Sequence, residues 1–273
     1  MNGFNKFGGT PPAVKNIIFI NVIMLLATIV LSSQFKIDLN DILGAHFFQS
    51  EHFKFYQLFT YMFMHDSTSM FHIFFNMFAL WMFGKVLESV WGTKRFLIYY
   101  FVTGVGAIAF NMLVQYFELS HLSGIIDAYA QNPNFVTFNS FINKHISEPS
   151  GALSSFINQF SADEKNPKYI SDSILILHQY YFDVFNSPTI GASGAVFGIL
   201  LAFGMLFPNT ELMLIFPPIP IKAKWVVIGY GAIELYSGVT QAGSNIAHFA
   251  HLGGMVFGFF LIKYWKADRK TFY

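Results

Sequence analysis

Along the chain, apolar residues gather into six runs, at 17–32, 71–87, 96–117, 191–207, 225–239 and 246–265, separated by polar connections. A helix needs roughly 20 apolar residues to cross about 30 Å of hydrocarbon. The pattern therefore predicts an all-α membrane protein with six transmembrane helices. Residues 34–69 break the pattern, because Asp38, Asp41, Glu51, Lys54 and Asp66 alternate with many aromatics. That stretch is too charged to span and too aromatic to lie free in water, so an interfacial loop with amphipathic helices is expected. Residues 118–188 form a long polar insertion between the third and fourth helices, with a surface helix expected over 173–182. The string Ser-Phe-Ile-Asn occurs there twice, at 140–143 and 155–158, which is too short to make a repeat architecture.

These boundaries divide the chain into a flexible leader (1–12), the first three core helices with their interfacial loop (13–117), an extracytoplasmic insertion (118–188), the last three core helices (189–265) and a cytoplasmic tail (266–273). Lys15 and Asn16 before the first run resemble the start of a signal peptide. No small-residue cleavage site follows, so a retained span is expected. Composition agrees with membrane residence: 54% of residues are hydrophobic and 11% charged, against about 25% charged in soluble domains. The absence of cysteine excludes disulfides, thiolate metal sites and a cysteine nucleophile.

Charge distribution predicts orientation. With six spans, the side carrying both termini holds eleven of the sixteen basic residues, among them Lys85, Lys94, Arg95, Lys222 and Lys224, but only three of the fifteen acidic ones. Lys and Arg near span ends favour the cytoplasm. Both termini are thus expected in the cytoplasm, with the insertion and the start of the fourth helix facing outward.

Polar side chains inside spans are costly and mark function by default. Here they are His72 and Asn76 in the second span, Ser193 in the fourth, Glu234 in the fifth, and His248 and His251 in the sixth. His72 and Asn76 lie one turn apart on one helix face. With the deduced polarity, Ser193, His72, Asn76 and His251 all fall in the outer part of the membrane. Glu234, counted from the opposite surface, falls nearer the middle. A serine needs a base to become nucleophilic, and His251 is the candidate. His72, the Asn76 amide and the backbone N–H at Ser193 are candidate donors to a developing oxyanion. No acidic residue is expected at the base, which predicts a Ser–His dyad rather than a triad. Gly194 and Gly198 on one helix, with Gly254 and Gly258 on the other, are small-xxx-small patterns that would let the two helices approach.

These residues resemble the rhomboid intramembrane serine proteases at four places in order. They are His72-Ile-Phe-Phe-Asn76, Glu88-Ser-Val-Trp-Gly92, Gly191-Ala192-Ser193-Gly194 and Ala250-His251-Leu-Gly-Gly254-Met-Val-Phe-Gly258. The resemblance implies a rhomboid-like bundle in a bacterial cytoplasmic membrane, with Ser193 as nucleophile and His251, not His248, as base. It further implies an oxyanion site at His72 and Asn76, and Phe197 stacked on the base. Substrates would be transmembrane proteins cut near the outer end of a span, with no metal, cofactor or nucleic acid involved. Helix five and the loop after it would act as a gate. A Trp-Arg pair common in the family's first outer loop is Tyr56-Gln57 here, and the long insertion is unusual. Two other classes compete: an inactive relative that binds transmembrane clients, and a small transporter. A transporter should carry repeated halves around a midplane site, and no repeated half is visible.

Overall fold

A computed structural model of the chain describes residues 9–68, 70–213, 218–240 and 245–267. Most of the expected leader, part of the proline-rich turn near Pro217, most of the polar loop before the sixth run and the end of the tail lie outside the described residues.

Pro12, with its ring-fixed φ, opens α1 (Pro12–Val30), which continues through a π-helical turn at Leu31–Phe35. Two short helices, α2 (Leu39–Leu43) and α3 (Gln57–Thr60), lie in the connection that follows. The second span is α4 (Met70–Ala79), a π-helical turn at Leu80–Gly84 and α5 (Lys85–Trp91). Gly92 adopts φ 78°, a conformation that suits glycine, and turns the chain into α6 (Thr93–Gln131). The insertion adds α7 (Phe135–His145), α8 (Gly151–Ala162) and α9 (Pro167–Asn186), each opened by a capping side chain: Asn134, Ser150 and Asn166. The fourth span is α10 (Ser193–Leu206). A two-stranded antiparallel hairpin, β1 (Glu211–Met213) with β2 (Pro220–Lys222), leads to α11 (Ala223–Thr240) and α12 (Asn245–Ala267).

All six expected spans are helical, and helices account for 78% of the structure, with no closed barrel among the described residues. The segments Pro12–Phe35, Met70–Trp91 and Thr93–Gln131 are each long and apolar enough to cross a membrane. Large apolar side chains such as Phe19, Phe74, Ile233 and Phe260 stand exposed on the outside, as lipid-facing surfaces require. The protein is an integral membrane, all-α bundle. Its fourth helix is short: 14 residues rise about 21 Å at 1.5 Å each. That falls below the hydrocarbon thickness, and neighbouring helices bury most of its surface.

One feature differs from the sequence reading. The third helix continues well past residue 117, to Gln131. Hydropathy falls there, but Leu119, Leu122, Ile126 and Tyr129 recur at helical spacing and are buried, so the polar extension is amphipathic. Ile126 and Tyr129 join Phe138, Ile142, Phe160 and Leu177 in a hydrophobic cluster separate from that of the bundle. The Tyr129 hydroxyl and Ser173 Oγ, 2.6 Å apart, pin α6 to α9.

The buried Glu88 holds the start of α1. Its carboxylate accepts the backbone N–H groups of Ala13 and Val14 at 2.9 and 2.8 Å and the Thr93 hydroxyl at 2.7 Å. These N–H groups have no partner within their own helix. Glu88→Ala should therefore lower stability by about 3 kcal/mol, given roughly 1.5–3 kcal/mol for each hydrogen bond to a charged group. Thermal unfolding in detergent micelles measures it.

The connection between α1 and α4, which has Tyr56-Gln57 where a Trp-Arg pair was expected, is anchored by Gln57. The buried Gln57 amide donates to the Ile42 and His52 carbonyls and accepts the Lys54 N–H. His46, also buried, bridges the Asn186 and Asp41 carbonyls at 2.8 and 2.7 Å. Ala45 and Thr189 exchange paired backbone hydrogen bonds at 2.9 Å. The loop is thereby fastened to the segment that leads into α10.

Helix α6 is the hub. A methyl group at Gly198 would meet Thr103, one at Gly258 would meet the Tyr99 hydroxyl, and one at Gly253 would meet Ala107 and Phe110. The Tyr99 hydroxyl also donates to the Gly198 carbonyl at 2.9 Å. Gly198 and Gly258, read as spacers between α10 and α12, face α6 instead. Direct backbone approach of α10 and α12 occurs at Gly194 and Gly254, where a methyl on Gly254 would overlap the Gly194 carbonyl.

Candidate active site

Ser193 is the first residue of α10, and the backbone before it is unusual. Gly191 has φ 124°, a conformation that side chains rarely adopt. Its N–H donates to the Tyr61 carbonyl at 2.9 Å. Tyr61 is itself buried, and its hydroxyl donates to the Gly104 carbonyl at 2.6 Å. The α1–α4 connection and α6 together therefore fix the turn that presents Ser193. Gly191 also lies against the imidazole of His72. A methyl group there would stand 3.2 Å from His72 Cε1 and 3.6 Å from Ser193 Oγ, so His72 and Ser193 flank one small gap.

Asn76, one turn below His72, is buried, and its Nδ2 has no hydrogen-bond partner among the described residues. Buried amides are nearly always bonded, so this donor is available to a ligand. His65, not singled out in the sequence, lies behind it with its ring 5.4 Å from that of His72. Burial first, then the neighbouring His72, push the His65 pKa down to about 4. The ring is therefore neutral at physiological pH and adds no charge to the site.

On the opposite side stands His251 of α12. Its ring stacks on Phe197, one turn after Ser193, with centroids 4.2 Å apart and planes 6° from parallel. Gly194 packs against the backbone of Ala250 and Gly254, which brings the start of α10 to the turn of α12 that bears His251. Both ring nitrogens of His251 are buried without a hydrogen bond to any described residue.

The structure corrects one expectation. A carboxylate does stand at the base: Glu234 Oε2 of α11 is 3.0 Å from His251 Nδ1, at ion-pair distance though not aligned for a hydrogen bond, and 2.6 Å from His248 Nδ1. Glu234 sits no deeper than the histidines. Placing it near the middle of the membrane was wrong because α11 and α12 form an antiparallel pair, and depth must be counted from their shared turn. The His248 side chain is 22% exposed, and its ring lies 6.4 Å from that of His251.

The fold thus brings together a serine at a helix N-terminus, the His72 ring beside it, a buried Asn76 amide with no hydrogen-bond partner among the described residues and a carboxylate-backed imidazole. Residues 52–130 and 169–266, well over half the chain, match the Rhomboid domain family. The chain belongs to the rhomboid family. Rhomboids are intramembrane serine proteases together with inactive counterparts. The two matched blocks exclude 131–168, the greater part of the insertion. The chain is also similar to Rhomboid protein 1, mitochondrial, from Saccharomyces cerevisiae, at 37% identity over 71 residues. Those residues are 26% of this chain and 20% of the yeast protein.

Proposed function

We propose that this rhomboid is an active intramembrane serine endopeptidase that cuts transmembrane protein substrates near the outer end of a span. The observation that carries the reading is His251 held by the Phe197 stack beside the start of α10, with Glu234 at its Nδ1 and no hydrogen-bond partner for its Nε2 among the described residues. Ser193 attacks the scissile carbonyl as His251 removes its proton, and His251 returns that proton to the leaving amine. His72, Asn76 Nδ2 and the N–H groups at the α10 start stabilise the oxyanion. Glu234 at His251 Nδ1 favours the tautomer whose Nε2 is free to act as base. It is a positioning residue, so the Ser–His dyad gains a carboxylate behind it.

Charge bias supports both termini on the cytoplasmic side, with the site and the 118–188 insertion on the opposite side, and the family resemblance supports a bacterial cytoplasmic membrane. The test is labelling by a fluorophosphonate probe, which forms a bond only with an activated serine. Labelling of the wild-type protein and not of Ser193→Ala is expected. An unlabelled wild-type protein that still folds would point to an inactive, client-binding rhomboid. Asn76→Ala should slow substrate cleavage by about one to two orders of magnitude, at the lower edge of losses reported for an oxyanion donor. An unaltered rate would remove Asn76 from that role.

A further inference from the structure

A second chemistry is available to the groups around the base. Glu234, His248 and His251 each offer one ligand atom, and these three atoms lie within 4.8 Å of one another. His₂Glu is a donor set that zinc uses, at about 2.0–2.2 Å per ligand. A tetrahedral ion with those bond lengths separates its ligand atoms by roughly 3.4 Å. The shortest separations here, 2.6 and 3.0 Å to the shared Glu234 Oε2, would open by less than 1 Å, and the widest, within 4.8 Å, would close by no more than about 1.4 Å. Side-chain rotation alone covers such changes.

Three observations point to a cation. The Glu234 residue is only 8% exposed, and a carboxylate in an apolar bundle needs positive charge beside it. The buried His251 nitrogens have no hydrogen-bond partner among the described residues. The Phe197 stack fixes the His251 ring so that its edge already faces Glu234. His248, partly exposed, provides a path of entry.

We infer that Glu234, His248 and His251 form a binding site for a zinc-type divalent transition metal, and that occupancy switches proteolysis off. A metal on Nδ1 of neutral His251 leaves the ring's one proton on Nε2. That nitrogen then has no lone pair for the Ser193 proton. The metal therefore takes the place of the proton between His251 Nδ1 and Glu234, and favours the tautomer opposite to the one that the carboxylate alone favours. The inhibitory half rests on the protease reading; the binding half does not.

Ser193→Ala protein of full length, in detergent micelles, separates the two halves. Titrated with Co²⁺ as a coloured substitute for zinc, it is expected to bind one equivalent with the visible absorption of a four-coordinate ion, displaced by Zn²⁺. In that background, His248→Ala and Glu234→Gln should each weaken binding by at least about tenfold, the lower bound for loss of even an outer-shell partner. His248→Asn repeats the test should the alanine variant misfold, and a metal-induced rise in melting temperature reports the site without spectroscopy. No stoichiometric binding, or unchanged affinity in folded variants at both positions, overturns the site.

In wild-type protein, saturating Zn²⁺ should reduce cleavage at least about tenfold, with recovery on adding EDTA. His248→Ala, compared with its own metal-free rate, should require at least about tenfold more zinc. Full-rate cleavage with the site occupied would overturn the switch. A metal-free wild-type protein that binds Co²⁺ and never cleaves would remove the protease reading and leave the site standing.

Discussion

Ser193→Ala in the purified protein is expected to reduce cleavage of a membrane-spanning substrate to background, a loss on the order of 10⁴–10⁶-fold. That is the range seen when one member of a cooperating nucleophile–base set is removed. His251→Ala should do the same, and the double variant should be no worse than either single one, because neither group works without the other. The prediction separates chemistry from folding. Ala192, not Ser193, occupies the capping position of α10, and alanine is the better helix former. The melting temperature of Ser193→Ala should therefore stay close to that of wild type. Intact cleavage in Ser193→Ala would sink the mechanism; a loss of cleavage accompanied by unfolding would leave it unsupported by this variant.

The second large effect is expected at Gly254. A methyl there overlaps the Gly194 carbonyl, so backbone meets backbone and neither can swing aside as a side chain would. Gly254→Ala should push α12 away from α10 and carry His251 from the nucleophile. A displacement of about 1 Å can cost roughly 100-fold in rate, and the packing lost should also lower the melting temperature. Gly124→Ala is the matched control, since nothing lies within 4 Å of the added methyl and alanine is favoured there by about 1 kcal/mol. It should leave cleavage unchanged and stability equal or higher. Equal effects at the two positions would show that helix propensity, not the approach of α10 and α12, controls activity.

Much of this was legible before any coordinates. The six helices followed from hydropathy, and three of the four short motifs supply His72, Asn76, Ser193 and His251, while the remaining one supplies Glu88, which holds the start of α1. The errors share a physical origin. Glu234 was assigned a depth from the far surface, although it lies six residues before the end of α11 at Thr240 and His251 lies six after the start of α12 at Asn245. Equal distances from a shared turn imply equal depth, so the carboxylate's nearness to the base was present in the numbering. Gly198 and Gly258 were matched to the wrong partner because a small-xxx-small pattern says that something approaches closely and not what does. Tyr61, Gln57 and His46 carry no such pattern at all. Their roles arise from hydrogen bonds to backbone carbonyls distant in sequence, and no local spacing encodes those.

The pinning of α6 to α9 has a practical side. Tyr129 and Ser173 hold the two helices together just before the chain leaves for α7 and α8, and the region between the family-matched blocks is that same excursion. That excursion holds a natural splice point. A compact soluble domain could be inserted in the connection between α7 and α8, which leaves the buried cluster of α6–α9 intact, giving a small membrane protein a rigid fiducial for particle alignment in electron cryomicroscopy while the helices around Ser193 remain as they are.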